Sequence, residues 1–157
     1  GGPIMSAVAG KAVALKECAT TDYQNYAKKV IENAKALAGA LEKEGMRAVS
    51  GGTETHLALI DIRSTGVNGK VADERCGRAG ISLNKNAIPY DPQPPMVSSG
   101  IRVGTPAVTT QGLVEADMAV VADLIGRAVR DEDGTQAATI AAEVSALVGK
   151  HPAYAQN

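Results

Sequence analysis

Residues 56–62 read HLALIDI. The run is short and aliphatic, with Gly51-Gly52 on one side and Ser64-Thr65-Gly66 on the other, so it reads as a buried strand. A buried strand needs cover, and the segments to either side supply it. Upstream, the cap-type residues Thr20, Thr21 and Asp22 open a helix that runs to about Glu44. Along it Tyr23, Tyr26, Ala27, Val30, Ile31, Ala34, Leu37, Ala38 and Leu41 recur at helical spacing, and Gly45 is a natural stop. Downstream, Asn68 to Gly80 reads as a short helix ending at a glycine. Ile81 to Asn84 reads as a strand, and Gly100 to Val103 as another, followed by a turn through Gly104-Thr105-Pro106. Two helices close the chain, about 114–130 and 136–148, with the polar DEDG turn between them. With a further helix over residues 4–18, the order is helix, helix, strand, helix, strand, strand, helix, helix. That order predicts an α/β or α+β layer, a small sheet covered by helices.

The composition fits this picture. The chain has 157 residues, 45% of them hydrophobic, which is enough for one domain, or for a compact domain with an extra arm. With no Trp, no Phe and four Tyr, the core must be aliphatic. Sixteen Lys and Arg against seventeen Asp and Glu leave a net charge of −1 and no basic block, which argues against nucleic acid or an anionic membrane as main partner. No apolar run approaches the roughly 18 residues of a membrane-spanning helix, and no signal-peptide pattern opens the chain. The expectation is a soluble cytosolic protein. The segment IMSAVAGKAVALKEC (4–18) is apolar on several faces, and a helix of that kind seeks cover on several sides. Nothing that follows obviously supplies so much. The opening Gly1-Gly2-Pro3 lacks an initiator Met. Both features are read as signs of a tag scar, a processed product or a piece of something longer.

Standard catalytic and phosphate-binding motifs are absent. His56 at the mouth of a strand and His151 beside Pro152 are expected to be structural, as are the thiols of Cys18 and Cys76 on helices. Two cysteines so far apart make neither a disulfide framework nor a zinc site. Three spots are less bland. Arg102 sits between Ile101 and Val103 on a short strand, in SSGIRVGTPA. A guanidinium there cannot shed its charge and needs an anion, either an internal carboxylate or a carboxylate or phosphate ligand. Asn84-Lys85-Asn86 leads into a loop holding Pro89, Pro92, Pro94 and Pro95, stiff and irregular rather than a flexible linker. Long ordered loops of this kind are often functional. Gly1-Gly2 ahead of a helix offers N–H groups to an anion.

These blocks combine. GGPIMSAVAGKAVALKE, VSGGTETHLALIDIR, TGVNGKVADE, NKNAIPYDPQPP and SSGIRVGTPAVTTQG stand in this order in serine hydroxymethyltransferase, and HPAYA resembles that family's carboxyl end. The chain resembles the C-terminal portion of the family over its whole length. The resemblance implies a fold-type I pyridoxal-phosphate transferase, a cytoplasmic homodimer of one-carbon metabolism and glycine biosynthesis. In it serine and glycine interconvert with tetrahydrofolate as one-carbon acceptor. It also implies that the lysine binding the cofactor as a Schiff base lies upstream, so that none of the nine lysines here fills that role and the piece alone is inactive. Residues 1–20 would be the last helix of the large cofactor domain, and 21–157 the connecting helix and small C-terminal domain. Arg102 matches the arginine that grips the substrate carboxylate. Gly1 and Gly2 match the pair that approaches the cofactor phosphate, across the dimer interface. Asn86 matches a folate-contacting asparagine, and Pro94, Pro95 and Met96 line the folate site. Met96 replaces a more usual aromatic and Ser6 a frequent His, which would weaken stacking on the pteridine or its aryl tail. His56 matches the GGTxxHL block without a catalytic role. The competing expectation is a naturally short, non-catalytic domain that binds a ligand or partner.

Overall fold

In the computed structural model, which describes residues 2–153, helices and a small antiparallel sheet form an α+β fold. Helix α1 (Met5–Cys18) is followed by the long α2 (Thr21–Lys43), whose start is capped by the Thr20 hydroxyl accepting from the Tyr23 N–H at 3.3 Å. Strand β2 (Leu57–Asp61) pairs on one side with the two-residue β1 (Arg47–Ala48) and on the other with β4 (Gly100–Gly104). Beyond β4 lies β3 (Asn84–Asn86), so the order is β1-β2-β4-β3 with every pair antiparallel.

The pleat separates two faces. Ala58 opposite Val103, and Ile60 opposite Ile101, turn to the buried side. There they meet the α2 stripe Leu37, Ala38 and Leu41, together with α3 (Gly69–Arg78) and α5 (Met118–Arg130). The last helix, α6 (Ala137–Gly149), contributes Ile140 to this aliphatic core. Buried polar groups are paired: the Asn33 amide donates to the Thr109 hydroxyl at 2.9 Å and the Leu113 carbonyl at 3.0 Å. The Thr105 hydroxyl donates to the Val30 carbonyl at 2.7 Å. These bonds fix α2 against the segment that follows β4.

Several expectations need correction. Ile81–Leu83 lies outside the ladder, and β3 begins only at Asn84. Gly80 (φ 77°) ends α3, and the Ile81 N–H is committed to the Cys76 carbonyl at 2.9 Å while that of Gly80 reaches Gly77 at 3.1 Å. This is a Schellman cap, and it takes the donor that a strand would need. The expected turn at Pro106 is a short helix, α4 (Pro106–Thr110), with proline in its first turn, where no N–H is missed. Residues 115–117 form a separate 3₁₀ turn, so α5 starts at Met118 rather than near Val114. Cys76 is a buried packing thiol, its pKa pushed up to about 12 by burial, but Cys18 is exposed and packs no core. Helix α1 buries none of its residues, and Ile4, Met5, Val8, Val13 and Leu15 all stand exposed.

Candidate functional site

The face of the sheet turned away from the core carries its polar side chains. On it stand Leu57, Leu59 and Asp61 of β2, Arg102 of β4 and Asn84 of β3, with Arg102 directly opposite both Leu59 and Asn84. The alternation that buries Ile101 and Val103 turns Arg102 outward. Its guanidinium is exposed, and among the described residues it makes no ion pair and no side-chain hydrogen bond. It borders an open depression of about 370 Å³ shared with His56, Leu57, Ser82 and Asn84.

Asp61 is the only acidic residue on the four strands, and it is already committed. Its carboxylate, with a side chain 5% exposed, meets Arg63 at 2.8 Å and Arg47 at 2.9 Å. The Arg63 N–H adds a further bond at 3.1 Å. Bonds from the Arg63 side chain lead these effects and outweigh desolvation, holding the Asp61 pKa at about 2. The internal salt bridge weighed for Arg102 therefore belongs to Arg47 and Arg63 instead.

Asn86 pairs with Gly100 at the far end of β3, its amide donating to its neighbour Ala87's carbonyl at 2.8 Å. The chain then leaves the sheet and returns at Gly100. Pro94, Pro95 and Met96 lie exposed on the returning limb, Met96 at 74%. That limb sits on the start of α3, where the N–H groups of Gly69 and Lys70 donate to the Ser98 and Val97 carbonyls, each at 2.9 Å. A Cβ on Gly69 would lie 2.5 Å from the Gly100 carbonyl, so only glycine admits this approach. The structure thus gathers Arg102, Asn86 and the Pro94–Met96 stretch onto one hairpin. Gly2 stands apart on the exposed approach to α1, and a Cβ built there meets no atom within 4 Å. Gly1 lies outside the described residues. His56 is exposed, its carbonyl accepting from the Thr105 N–H at 3.0 Å.

Among the described residues no cluster of His, Cys, Asp and Glu could hold a metal ion, and no helix is long and apolar enough to cross a membrane. A cavity of about 320 Å³ between the core side of the sheet and α4–α6 is walled by aliphatic side chains, with Ser82 and Gln111 its polar groups, and offers no reactive constellation. Two residues that the sequence did not single out matter here. Asp91 is the hub of the loop's hydrogen bonds, and Tyr90 beside it is fully exposed with φ 56°. The visible signal was Pro-Tyr-Asp-Pro, turn chemistry around an aspartate.

The family model for serine hydroxymethyltransferase matches residues 1–125. The chain belongs to the serine hydroxymethyltransferase family. It is 50% identical over 156 residues to the serine hydroxymethyltransferase of Myxococcus xanthus strain DK1622, a match covering 99% of this chain and 37% of that protein. The chain thus spans little more than a third of that curated relative's length. The small antiparallel sheet with its helices is compatible with the C-terminal domain of a serine hydroxymethyltransferase.

Proposed function

We propose that this chain is the substrate- and folate-facing part of a serine hydroxymethyltransferase. In this reading the complete protein is a cytoplasmic homodimer that interconverts serine and glycine, with pyridoxal phosphate as cofactor and tetrahydrofolate as one-carbon acceptor. Residues 1–20 are then the last helix of the large domain, and 21–157 the connecting helix and small domain. The bare, apolar surface of α1 supports that division, since such a surface fits burial against further protein.

The observation that carries the reading is Arg102. A planar fork of donors, exposed and unpaired among the described residues on the open face, suits a carboxylate bidentately. Held there, an amino acid keeps its α-carbon in a fixed orientation while Asn86 and the Pro94–Met96 stretch face the folate. Pyridoxal phosphate fits this chain at its margin: Gly2 leaves room for a phosphate oxygen near the start of α1, and the lysine and ring-binding groups lie upstream in this reading. When bound, the cofactor supplies the electron sink for chemistry at the α-carbon. The chain by itself therefore carries no turnover.

The test uses the complete protein. Arg102→Ala loses charge-assisted bonds of about 1.5–3 kcal/mol each, so serine binding should weaken on the order of a hundredfold or more. Arg102→Lys should not restore it, because a point-charge ammonium lacks the fork. Stability should move by less than about 0.5 kcal/mol, as for other unpaired surface residues. A large fall in melting temperature with near-normal serine affinity would sink the clamp.

A further inference from the structure

Between Asn86 and Arg102 the chain crosses a loop that ought to be hard to hold. It contains four prolines, and Tyr90 (φ 56°) and Ser98 (φ 58°) sit in the left-handed region that favours glycine. One carboxylate ties it together. Asp91 Oδ2 accepts from the Ile88 N–H at 3.0 Å and the Ser99 N–H at 2.8 Å. Its Oδ1 accepts from the Gln93 N–H at 2.9 Å and the Ser99 hydroxyl at 2.6 Å. The outgoing limb, the tip and the returning limb thus converge on a single side chain. The Asp91 N–H also closes a turn onto the Ile88 carbonyl at 3.1 Å, with Pro89 and the strained Tyr90 at its centre. Desolvation opposes the charge, yet the Ser99 hydroxyl and the three backbone N–H groups prevail and hold the carboxyl well below the usual carboxylate range.

The two subsites of the hairpin depend on this residue unequally. Arg102 and Asn86 are fixed by strand pairing, opposite Asn84 and Gly100 respectively. Pro94, Pro95 and Met96 belong to no strand. On one side Asp91 holds the preceding Gln93. On the other the Pro94 carbonyl accepts from the Val97 and Ser98 N–H groups at 2.9 and 3.0 Å and the Pro95 carbonyl from the Ser98 hydroxyl at 2.9 Å, and Val97–Ser98 rest on the start of α3. We propose that Asp91 is a positioning residue that holds the Pro94–Met96 stretch in its ligand-facing place and leaves the Arg102 carboxylate site independent of it. The proposal rests on the reading that this stretch faces tetrahydrofolate. A loosened stretch must be ordered anew at each binding event, which costs affinity without removing a contact.

The experiment compares wild type, Asp91→Ala and Asp91→Asn in the complete protein, titrated separately with serine and with tetrahydrofolate. Asp91→Ala should raise the tetrahydrofolate dissociation constant about tenfold, roughly 1.4 kcal/mol, and leave that of serine within about twofold. Asp91→Asn should fall between. Its amide oxygen can still accept from Ile88 and Ser99, while its NH₂ would confront the Gln93 N–H. Hydrogen exchange gives a second readout. In Asp91→Ala the amides of Gln93 and Ser99 should lose protection, while those of Gly69 and Lys70 on the intact anchor keep it. Equal losses of both ligands, or unchanged tetrahydrofolate affinity in a variant whose loop amides are deprotected, would overturn the role. If the wild-type protein binds serine and shows no affinity for tetrahydrofolate, the folate reading itself fails, and the role fails with it.

Discussion

Gly100→Ala tests the packing that seats the loop on the sheet. Gly100 begins β4 and is paired on both sides, with Asp61 and with Asn86. It has no left-handed φ, so in the folded state the substitution acts through space rather than backbone strain. A Cβ there would lie 2.7 Å from the Ile88 Cγ2, 2.8 Å from the Ile60 carbonyl oxygen and 3.0 Å from the Asn86 carbonyl oxygen. The first neighbour is a methyl that could rotate away at the cost of its packing. The other two are backbone atoms of the flanking chain and cannot yield without opening the ladder. Overpacking of this kind costs about 1–3 kcal/mol. Replacing glycine also lowers the entropy of the unfolded chain, a gain of about 0.4–1 kcal/mol. The expected net loss is about 1–2 kcal/mol, or a melting temperature lower by about 2–8 °C for a domain of this size. Denaturant titration at matched m-value measures it, and Gly39→Ala at a half-buried position of α2, where a Cβ meets nothing within 4 Å, is the control. If Gly100→Ala is as stable as wild type, Ile88 does not need the empty space above Gly100 and the close seating of the loop is wrong.

Two further predictions concern charge and strain. Asp61 has a folded-state pKa of about 2, below the ordinary 3.8, so its contribution is complete above about pH 4 and is lost as the pH falls through 2. With Arg47 and Arg63 half-exposed and screened, that contribution is about 1 kcal/mol, and Asp61→Asn should flatten the acid limb of the stability profile between pH 5 and 2. An unchanged slope would count against the triad. Tyr90→Gly relieves a left-handed residue at an exposed turn and should stabilise the chain by about 0.5–1 kcal/mol, seen as a raised melting temperature. A loss of stability would mean that the exposed ring contributes to the fold after all.

What could be read from the chain depended on how local the cause was. Helix α2 was legible because its stripe repeats over many turns and its ends carry Thr20 and Gly45. Strand β2 was legible because turn residues bracket an aliphatic run. Strand β1 has two residues, and nothing in Arg47–Ala48 announces that it will face Asp61 and Ile60. At residues 81–84 the apolar pattern is real, since Ile81 and Leu83 do pack on the core, but the Schellman cap claims the backbone that a strand would use. Arg102 was suspect from its neighbours alone. That it points out of the core rather than into a salt bridge could not be known before Asp61 was seen between two other arginines.

Asp91 marks the limit of local reading. Two of its four bonds go to Ser99, eight residues on, and they exist only because β3 and β4 bring the two limbs of the hairpin together. The same contrast runs through the open face of the sheet. Asp61 pairs with both Arg47 and Arg63 within the chain, so the sheet's one carboxylate is spent on structure and β4 keeps a cation with no internal partner among the described residues. A fold that needed Arg102 for its own stability would have placed an acid opposite it, at Leu59 or Asn84. Those positions carry an aliphatic side chain and a neutral amide instead, which leaves the guanidinium without an internal counter-charge among the described residues, as the proposed carboxylate clamp requires.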